Sequence, residues 1–529
     1  MIWDDELNKE LACKTFIAIQ LPAYCLHSYF ITPASSVVIQ EASPIAMLIF
    51  CAITLTAIMM ASMMGIDIRR SIEASVCAAC TTEAVIGGLQ LLGIAESRHD
   101  IFTLTGTLKN PGPLGGFLAI GTAVAINLYE STRGRGDLRG KTLKHLSIAA
   151  MTTTAIILPA TQSRTAIIAA MTSAAILMTC RHQMQTKKLI LCAIPCAAIV
   201  ATMLFITKTD SGLGRLLIWK ISTTAIMRHP LTGSGTFSSA YMQAQEDYFR
   251  TGEATETEMR VADNAEYAFN ELIQTAIEYG MPLAIMLLGC IVTVIVHGLR
   301  TRNYGLACGI VSLLIFSMAS YPLHIEEIIS ESVLMTIAIA WTSITKHRAA
   351  LSASATCLAI CCTTEAVRLR PNVNEAKKWA VARELYAHGA YEQAVDIYGS
   401  THLTNPRYHY EYGLALHKCN EFAKSDSVLK EAYRQSGSQS ILLLMGKNHV
   451  GMQDTIGADT LYKKAHIRVP NRLYPIYLLF RLHEADTLGV EWSRKLIEQE
   501  PKVASVATRR MKHEATRYMG KILGKRDDD

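Results

Sequence analysis

Charge is scarce in this chain. Only 18% of its 529 residues are Asp, Glu, Lys or Arg, against the quarter or so usual in a soluble domain. The shortage is local. Residues 1–366 hold long apolar runs, whereas residues 371–529 have an ordinary charged composition, and that shift sets the main domain boundary. No basic stretch carries interleaved aromatics, so the net charge of +6 is not read as a nucleic-acid groove. No convincing Walker motif and no clustered set of metal ligands occurs. The first apolar run lacks a basic leader and a small-residue cleavage site, and reads as an uncleaved helix. Fourteen cysteines do not make a disulfide framework: thirteen fall within residues 1–362, mostly inside apolar stretches. There a cysteine behaves as a small hydrophobe. The Cys77/Cys80 pair has no partner pair and reads the same way. The tail holds only Cys419, so it has no internal disulfide.

What the chain has is hydrophobic length. A spanning helix needs about 20 mostly apolar residues. Such runs lie near 13–32, 45–64, 73–94, 112–129, 145–160, 164–180, 189–206, 280–299, 305–322, 331–345 and 349–366. The expected architecture is all-α, with about 11 spans followed by a soluble helical domain over 371–529. Alternate loops differ in charge. One set carries Arg69, Arg70, Arg133, Arg135, Arg139, Lys141, Lys144, Arg181, Lys187, Lys188, Arg300, Arg302, Lys346 and Arg348. The other carries little beyond Arg98, Lys109 and Arg164. The positive-inside rule makes the first set cytoplasmic. The N-terminus is then cytoplasmic, and the one long loop, about 207–279, faces outward. With an odd number of spans, the tail faces outward too.

From about Asn374 the pattern becomes paired amphipathic helices. Ala382, Tyr386, Gly389, Tyr391 and Ala394 have the small-and-aromatic spacing of a helix–turn–helix unit. Similar units restart near Tyr412–Gly413 and Leu443–Gly446, and again near Tyr477. From Tyr391 to Phe422 is 31 residues (422 − 391), close to the tetratricopeptide period of about 34. Such a solenoid serves either as a docking surface for a protein partner or as a structural cap of stacked helices.

Polar residues concentrate in the long loop. It opens with Asp210-Ser-Gly-Leu-Gly-Arg215-Leu-Leu-Ile-Trp219, continues through Arg228-His229-Pro230-Leu-Thr-Gly233-Ser-Gly235, and closes with Asp263 and Asn270-Glu271-Leu-Ile-Gln274 to Glu278-Tyr-Gly280. Two shorter outward pieces accompany it, Lys109-Asn110-Pro111 and Ser163-Arg164-Thr165. Arg164 has few neutralising neighbours. An ionisable residue at a span end is a functional candidate, the bland alternative being a snorkelling anchor. For Arg215 the bland alternative is a loop salt bridge.

These motifs, in this order and topology, resemble the O-antigen ligase family over roughly residues 95–330. That family also includes O-antigen polymerases and protein O-oligosaccharyltransferases. The resemblance implies glycan transfer at the outer face of the inner membrane, without metal or nucleotide. The donor would be a glycan on undecaprenyl diphosphate, and the acceptor lipid A–core, another glycan or a protein hydroxyl. It implies that Arg164 and Arg215 hold the diphosphate, which suits the bidentate fork of arginine. Many ligases place a histidine just before the Asn-Glu-like pair, where this chain has Phe269. Glu271 and Asp263 are the first candidates for the base that the acceptor hydroxyl needs, ahead of Glu266. His229, His324, Lys109 and Asn270 are secondary candidates. A transporter of lipid-linked glycans is the rival of another class. It would favour internal repeats, and no symmetry between halves is seen.

Overall fold

The computed structural model describes residues 68–97, 99, 101–182, 209–341 and 348–526, together with position 49. All regular structure among them is helical. In chain order the helices are α1 (Ile68–Leu91), α2 (Pro111–Thr132), α3 (Leu138–Ala160), α4 (Arg164–His182), α5 (Thr209–Arg228), α6 (Phe237–Arg250), α7 (Glu256–Val261), α8 (Glu271–Tyr279), α9 (Met281–Arg300), α10 (Tyr304–Ser317), α11 (Glu326–Trp341) and α12 (Arg348–Ala387). A 3-10 turn, Pro322–His324, precedes α11. The tail continues with α13 (Tyr391–Gly399), α14 (Pro406–Lys418), α15 (Phe422–Ser436), α16 (Gln439–Gly451), α17 (Thr455–Arg468), α18 (Leu473–Leu482), α19 (Thr487–Glu498) and α20 (Val506–Arg526).

Two compact units emerge. Among the described residues the first takes 68–182, 269–272, 285–341 and 348–373. The second takes 209–268, 273–284 and 374–526. The apolar portion and the tail are therefore not cut apart where composition changes. The long loop goes with the tail, and α12 runs unbroken through the boundary expected near 366–371.

Among the described residues, five helices are long and apolar enough to cross a membrane: α1, α2, α3, α4 and α9. They correspond to five of the predicted runs. The run at 305–322 is the 14-residue α10, and that at 331–345 overlaps the 16-residue α11. The run at 349–366 falls within the 40-residue α12. Those at 13–32 and 189–206, and 45–64 apart from Ile49, lie outside the described residues.

Helix α2 is the hub. Its apolar window is 78% buried, against 11% for α9, and it packs on α1, α3, α4, α10 and α11. Between helices in lipid, the hydrophobic effect supplies little attraction, so close backbone approach through small residues matters more. Gly116 makes room for the Phe316 ring and Gly121 for the Cys80 sulfur; a Cβ would fall 2.2 Å and 2.1 Å from them. Cys77 and Cys80 are thus buried packing residues of α1. At one end of the bundle, Asn127 Nδ2 donates to Glu73 Oε1 (2.8 Å) while Arg181 donates to Asn127 Oδ1 (2.8 Å). These polar contacts tie α1, α2 and α4, and the α2–α3 and α9–α10 loops with their arginines share that end.

In the second unit, the tail is a succession of helical hairpins. Helices α14 and α15 pair, as do α16 with α17 and α18 with α19, each hairpin packing on the next. Gly413 lies against Leu429 in one hairpin and Gly446 against Tyr462 in the next, a shift of 33 residues at both positions (446 − 413, 462 − 429). Three hairpin turns repeat a left-handed residue at Gly389, Asn420 and Gln453, spaced 31 and then 33 residues apart (420 − 389, 453 − 420).

The loop helices are built into this stack. Arg468 of α17 donates from Nε to Glu246 Oε2 of α6 at 2.7 Å, with the two side chains 3% and 6% exposed. Arg468 also donates to the Gly437 carbonyl and stacks over Tyr433. Gln245 Nε2 donates to the Arg468 carbonyl. Asn471 donates to the carbonyls of Met259, Arg260 and Ala262. Val469 completes the apolar core made by Leu217, Ile221, Phe237 and Tyr241.

Removing one partner of a buried ion pair leaves an uncompensated charge, at a cost of about 3–5 kcal/mol. Arg250 remains bonded to Glu246 Oε1, so Arg468→Ala is expected to destabilise the second unit by the lower end of that range, about 3 kcal/mol. Amide hydrogen exchange of the full chain should quicken in both α6 and α17. The double variant Glu246→Gln/Arg468→Met should recover much of the loss. Fast exchange in α17 alone would mean that the pair does not join the two segments.

Candidate functional site

The polar motifs of the first unit meet at the bundle end opposite Glu73 and Arg181. Asn110 begins α2 as its N-cap, its Oδ1 accepting the Gly112 N–H at 2.9 Å, with Pro111 at the first helical position, where its missing N–H costs nothing. Lys109, exposed and left-handed (φ 61°), turns the chain into that cap. Beside it, α3 ends at Ala160 and α4 begins at Arg164 after a three-residue turn. Thr161 Oγ1 accepts the Ser163 N–H (3.2 Å) within that turn. Gly115 of α2 holds the two together: a Cβ there would lie 2.8 Å from both Ser163 Cβ and Thr161 Oγ1.

Arg164 is half-buried at the first position of α4. A cation there opposes the helix dipole, which favours anions by about 0.3–1 kcal/mol. Local helix stability therefore gives no reason for an arginine. Two helix N-termini, a lysine and an arginine gathered at one place form an environment for an anion.

Phe269–Leu272 closes the same end. Asn270 Nδ2 donates to the Met318 carbonyl at 3.2 Å, and its Oδ1 accepts the Leu272 N–H at the start of α8. Phe269 packs edge-on against Tyr321, ring centroids 5.6 Å apart. Glu271 is buried, 3% exposed. Its Oε1 accepts the Leu323 N–H at 2.6 Å and lies 3.5 Å from His324 Nδ1. Lys109, Asn110, Arg164, Asn270, Glu271 and His324, six residues singled out in the sequence, thus share one end of the first unit.

Arg215, Asp263 and His229 belong to the second unit. Arg215 is half-buried on α5, and His229 is exposed beyond its end. Asp263 is engaged on both oxygens: Arg472 reaches Oδ1 and Lys502 reaches Oδ2, each at 2.9 Å. Burial pushes its carboxyl upward, but the hydrogen bonds from Lys502 and Arg472 outweigh this and hold it below the usual range. A carboxylate so held is a poor proton acceptor, and its visible work is to join the loop to the tail. Glu266 is exposed.

The glycines of the loop motifs prove to be backbone devices. Gly233 and Gly280 both have left-handed φ (71° and 92°) and lie against each other's segments. A Cβ on Gly233 would sit 2.3 Å from the Glu278 carbonyl oxygen, and one on Gly280 at 2.3 Å from that of Leu231. The Ser234 N–H bonds the Ile277 carbonyl, that of Gly235 the Glu278 carbonyl, and that of Met281 the Pro230 carbonyl. Trp219 Nε1 donates to the Ala268 carbonyl (2.9 Å) just before Phe269.

Residues 149–288 match the O-antigen ligase family. The matched stretch holds Arg164, Arg215, the interlocked glycine motifs and the Asn270–Glu271 pair. Asn110, His324 and the tail fall outside it. No curated protein matches the chain. The family match and the apolar helices together point to a multi-pass membrane protein. Sequence reasoning passed over Glu83, Gln90, Glu246 and Arg468, because nothing local distinguishes them from ordinary helix residues.

The Asp263 bridge carries a pH signature. A carboxylate whose folded value is depressed stabilises fully above the ordinary range of about 4 and loses that contribution as pH falls through its own lowered value. The amide protection factors at 262–264, 471 and 472, which discount the intrinsic slowing of exchange in acid, should be high at about pH 5 and fall toward about pH 3. In Asp263→Asn they should already be low at the higher pH. An unchanged profile in the variant would remove the bridge as the cause.

Proposed function

We propose that this protein transfers a glycan from undecaprenyl diphosphate to an acceptor hydroxyl at the outer face of the inner membrane. The acceptor proposed is lipid A–core, which makes the protein an O-antigen ligase. One observation carries the reading: Lys109, Asn110, Arg164, Asn270, Glu271 and His324 share the bundle end opposite the arginine-bearing loops. If those loops are cytoplasmic by the positive-inside rule, the cluster faces outward, where lipid-linked glycan is presented.

The acceptor oxygen attacks the anomeric carbon as the bond from that carbon to the diphosphate breaks. Undecaprenyl diphosphate leaves with the electron pair, and the hydroxyl proton passes to a base. Arg164 is the proposed ligand of the leaving diphosphate, by charge-assisted bidentate contact, and Arg215 is proposed for the same role on the strength of its motif alone. Glu271, the sequence-level candidate for the base, is better cast as its orienter. Its carboxylate is fixed by the Leu323 N–H and faces His324 Nδ1. With the Nδ1 proton turned to Glu271, His324 Nε2 is the acceptor. His324 thereby answers the absence of a histidine at Phe269.

The tail is proposed as a tetratricopeptide-type solenoid on the same side of the membrane as the long loop. The shared core of loop and tail supports this, because a bilayer cannot divide one compact unit. A surface continuous with the loop suits an acceptor or a protein partner. Polymerases and protein O-oligosaccharyltransferases share the donor chemistry, and no contact described here favours them. The transporter reading gains no support, since the polar cluster lies at one end of the bundle.

The test is glycan profiling of a deletion strain complemented with wild type, Arg164→Ala, Arg215→Ala or His324→Ala, with membrane levels checked. Each variant should lose about 10²–10³-fold in transfer. Lipid-linked glycan should accumulate as the finished conjugate disappears, and the missing conjugate names the acceptor. Wild-type profiles from both arginine variants would sink the transferase reading.

A further inference from the structure

Helix α1 carries an inward polar stripe that the proposed chemistry does not use. Glu83 and Gln90 are 0% and 5% exposed, and with Gly87 they lie at i, i+4 and i+7, on one helix face. All three grip the same short segment. Glu83 Oε2 accepts the Thr107 N–H at 2.9 Å, and Oε1 accepts the Thr107 hydroxyl at 2.5 Å. Gln90 Oε1 accepts the N–H groups of Thr105 (2.9 Å) and Gly106 (2.8 Å). Its Nε2 donates to the Gly106 carbonyl at 3.0 Å. Gly87 leaves space for Leu104, whose Cδ1 would lie 2.8 Å from a Cβ there.

The segment so held runs into Lys109 and the Asn110 cap of α2. Burying a carboxylate is expensive unless it is hydrogen-bonded. An apolar face could hold a loop to a helix, but it would not fix the direction of successive N–H groups. Here four contacts define the backbone of Thr105–Thr107 two residues before Lys109.

We propose that Glu83 and Gln90 are positioning residues, which brace Thr105–Thr107 so that Lys109 and the α2 N-terminus are aimed at the diphosphate of the lipid-linked donor. The inference rests on the transferase reading above. Neither residue touches the donor; both act through the segment.

The test uses the full chain in nanodiscs, titrated with undecaprenyl diphosphate and, as an uncharged control, undecaprenol. Wild type should prefer the diphosphate. Each side chain makes at least two hydrogen bonds to the segment, so Glu83→Ala and Gln90→Ala should each weaken diphosphate binding by about tenfold or more. Undecaprenol binding should be unchanged. Glu83→Gln can still accept the Thr107 N–H and donate to its hydroxyl, and should bind the diphosphate within about threefold of wild type. Wild-type affinities in both alanine variants would overturn the brace. So would an equal loss for the two lipids, or Glu83→Gln as weak as Glu83→Ala. If wild type itself shows no preference for the diphosphate, the transferase reading fails, and the brace with it. A preference kept in wild type and in every variant sinks the brace alone.

Discussion

The second unit depends on a guanidinium and a carboxylate removed from water together. Glu246 and Arg468 are both almost fully buried, and Arg250 and Lys464 also reach Glu246 from the surface. The pair is satisfied by more than its own attraction. Arg468 also reaches a carbonyl and an aromatic face, and Gln245 takes up the carbonyl of Arg468 itself. Around this point the loop loses its independence. Its core borrows Val469, its backbone carbonyls are read by Asn471, and Asp263 is bridged to Arg472 and Lys502. What composition presents as a hydrophilic insertion between spans is structurally the first layer of the tail.

The first unit follows another logic. Apolar burial cannot order helices against one another in lipid as it does in water. The bundle relies on close approach at glycines of α2 and on a few buried hydrogen bonds at its ends. One end, with Glu73, Asn127 and Arg181, is internally satisfied. The other gathers helix N-termini and basic side chains in a way that local stability does not require. A cation at the start of α4 opposes the dipole of that helix.

Much of this was legible in the sequence, for identifiable reasons. Apolar runs of about 20 residues announced α1–α4 and α9 because length and hydropathy are local properties. Asn110-Pro111 stands out in the sequence and caps α2 in the fold, and left-handed turns recur in the tail at Gly389, Asn420 and Gln453. The motif Pro230–Gly235 was visible, but its reason was not. Gly233 is required by the close passage of Glu278, which only the folded chain brings near. Asp263 reads in the sequence as a candidate base, and in the fold Arg472 and Lys502 hold its two oxygens. Glu246 and Arg468 could not be paired by inspection, because each is an ordinary charged helix residue until its partner buries it. Glu83 and Gln90 likewise carry a signal only once the segment that they hold is known.

The separation of Glu246 from Arg468 has a consequence in time. The two are 222 residues apart in the chain. At synthesis rates of about 5–20 residues per second, the loop has Arg250 at once but waits roughly 10–45 seconds for Arg468 to be made. During that interval the carboxylate and the apolar face of α6 have no cover from α17. The loop therefore matures late, after the helices that flank it have been synthesised. Any chain that stops short of α17 keeps those helices and leaves the outer layer permanently unfinished.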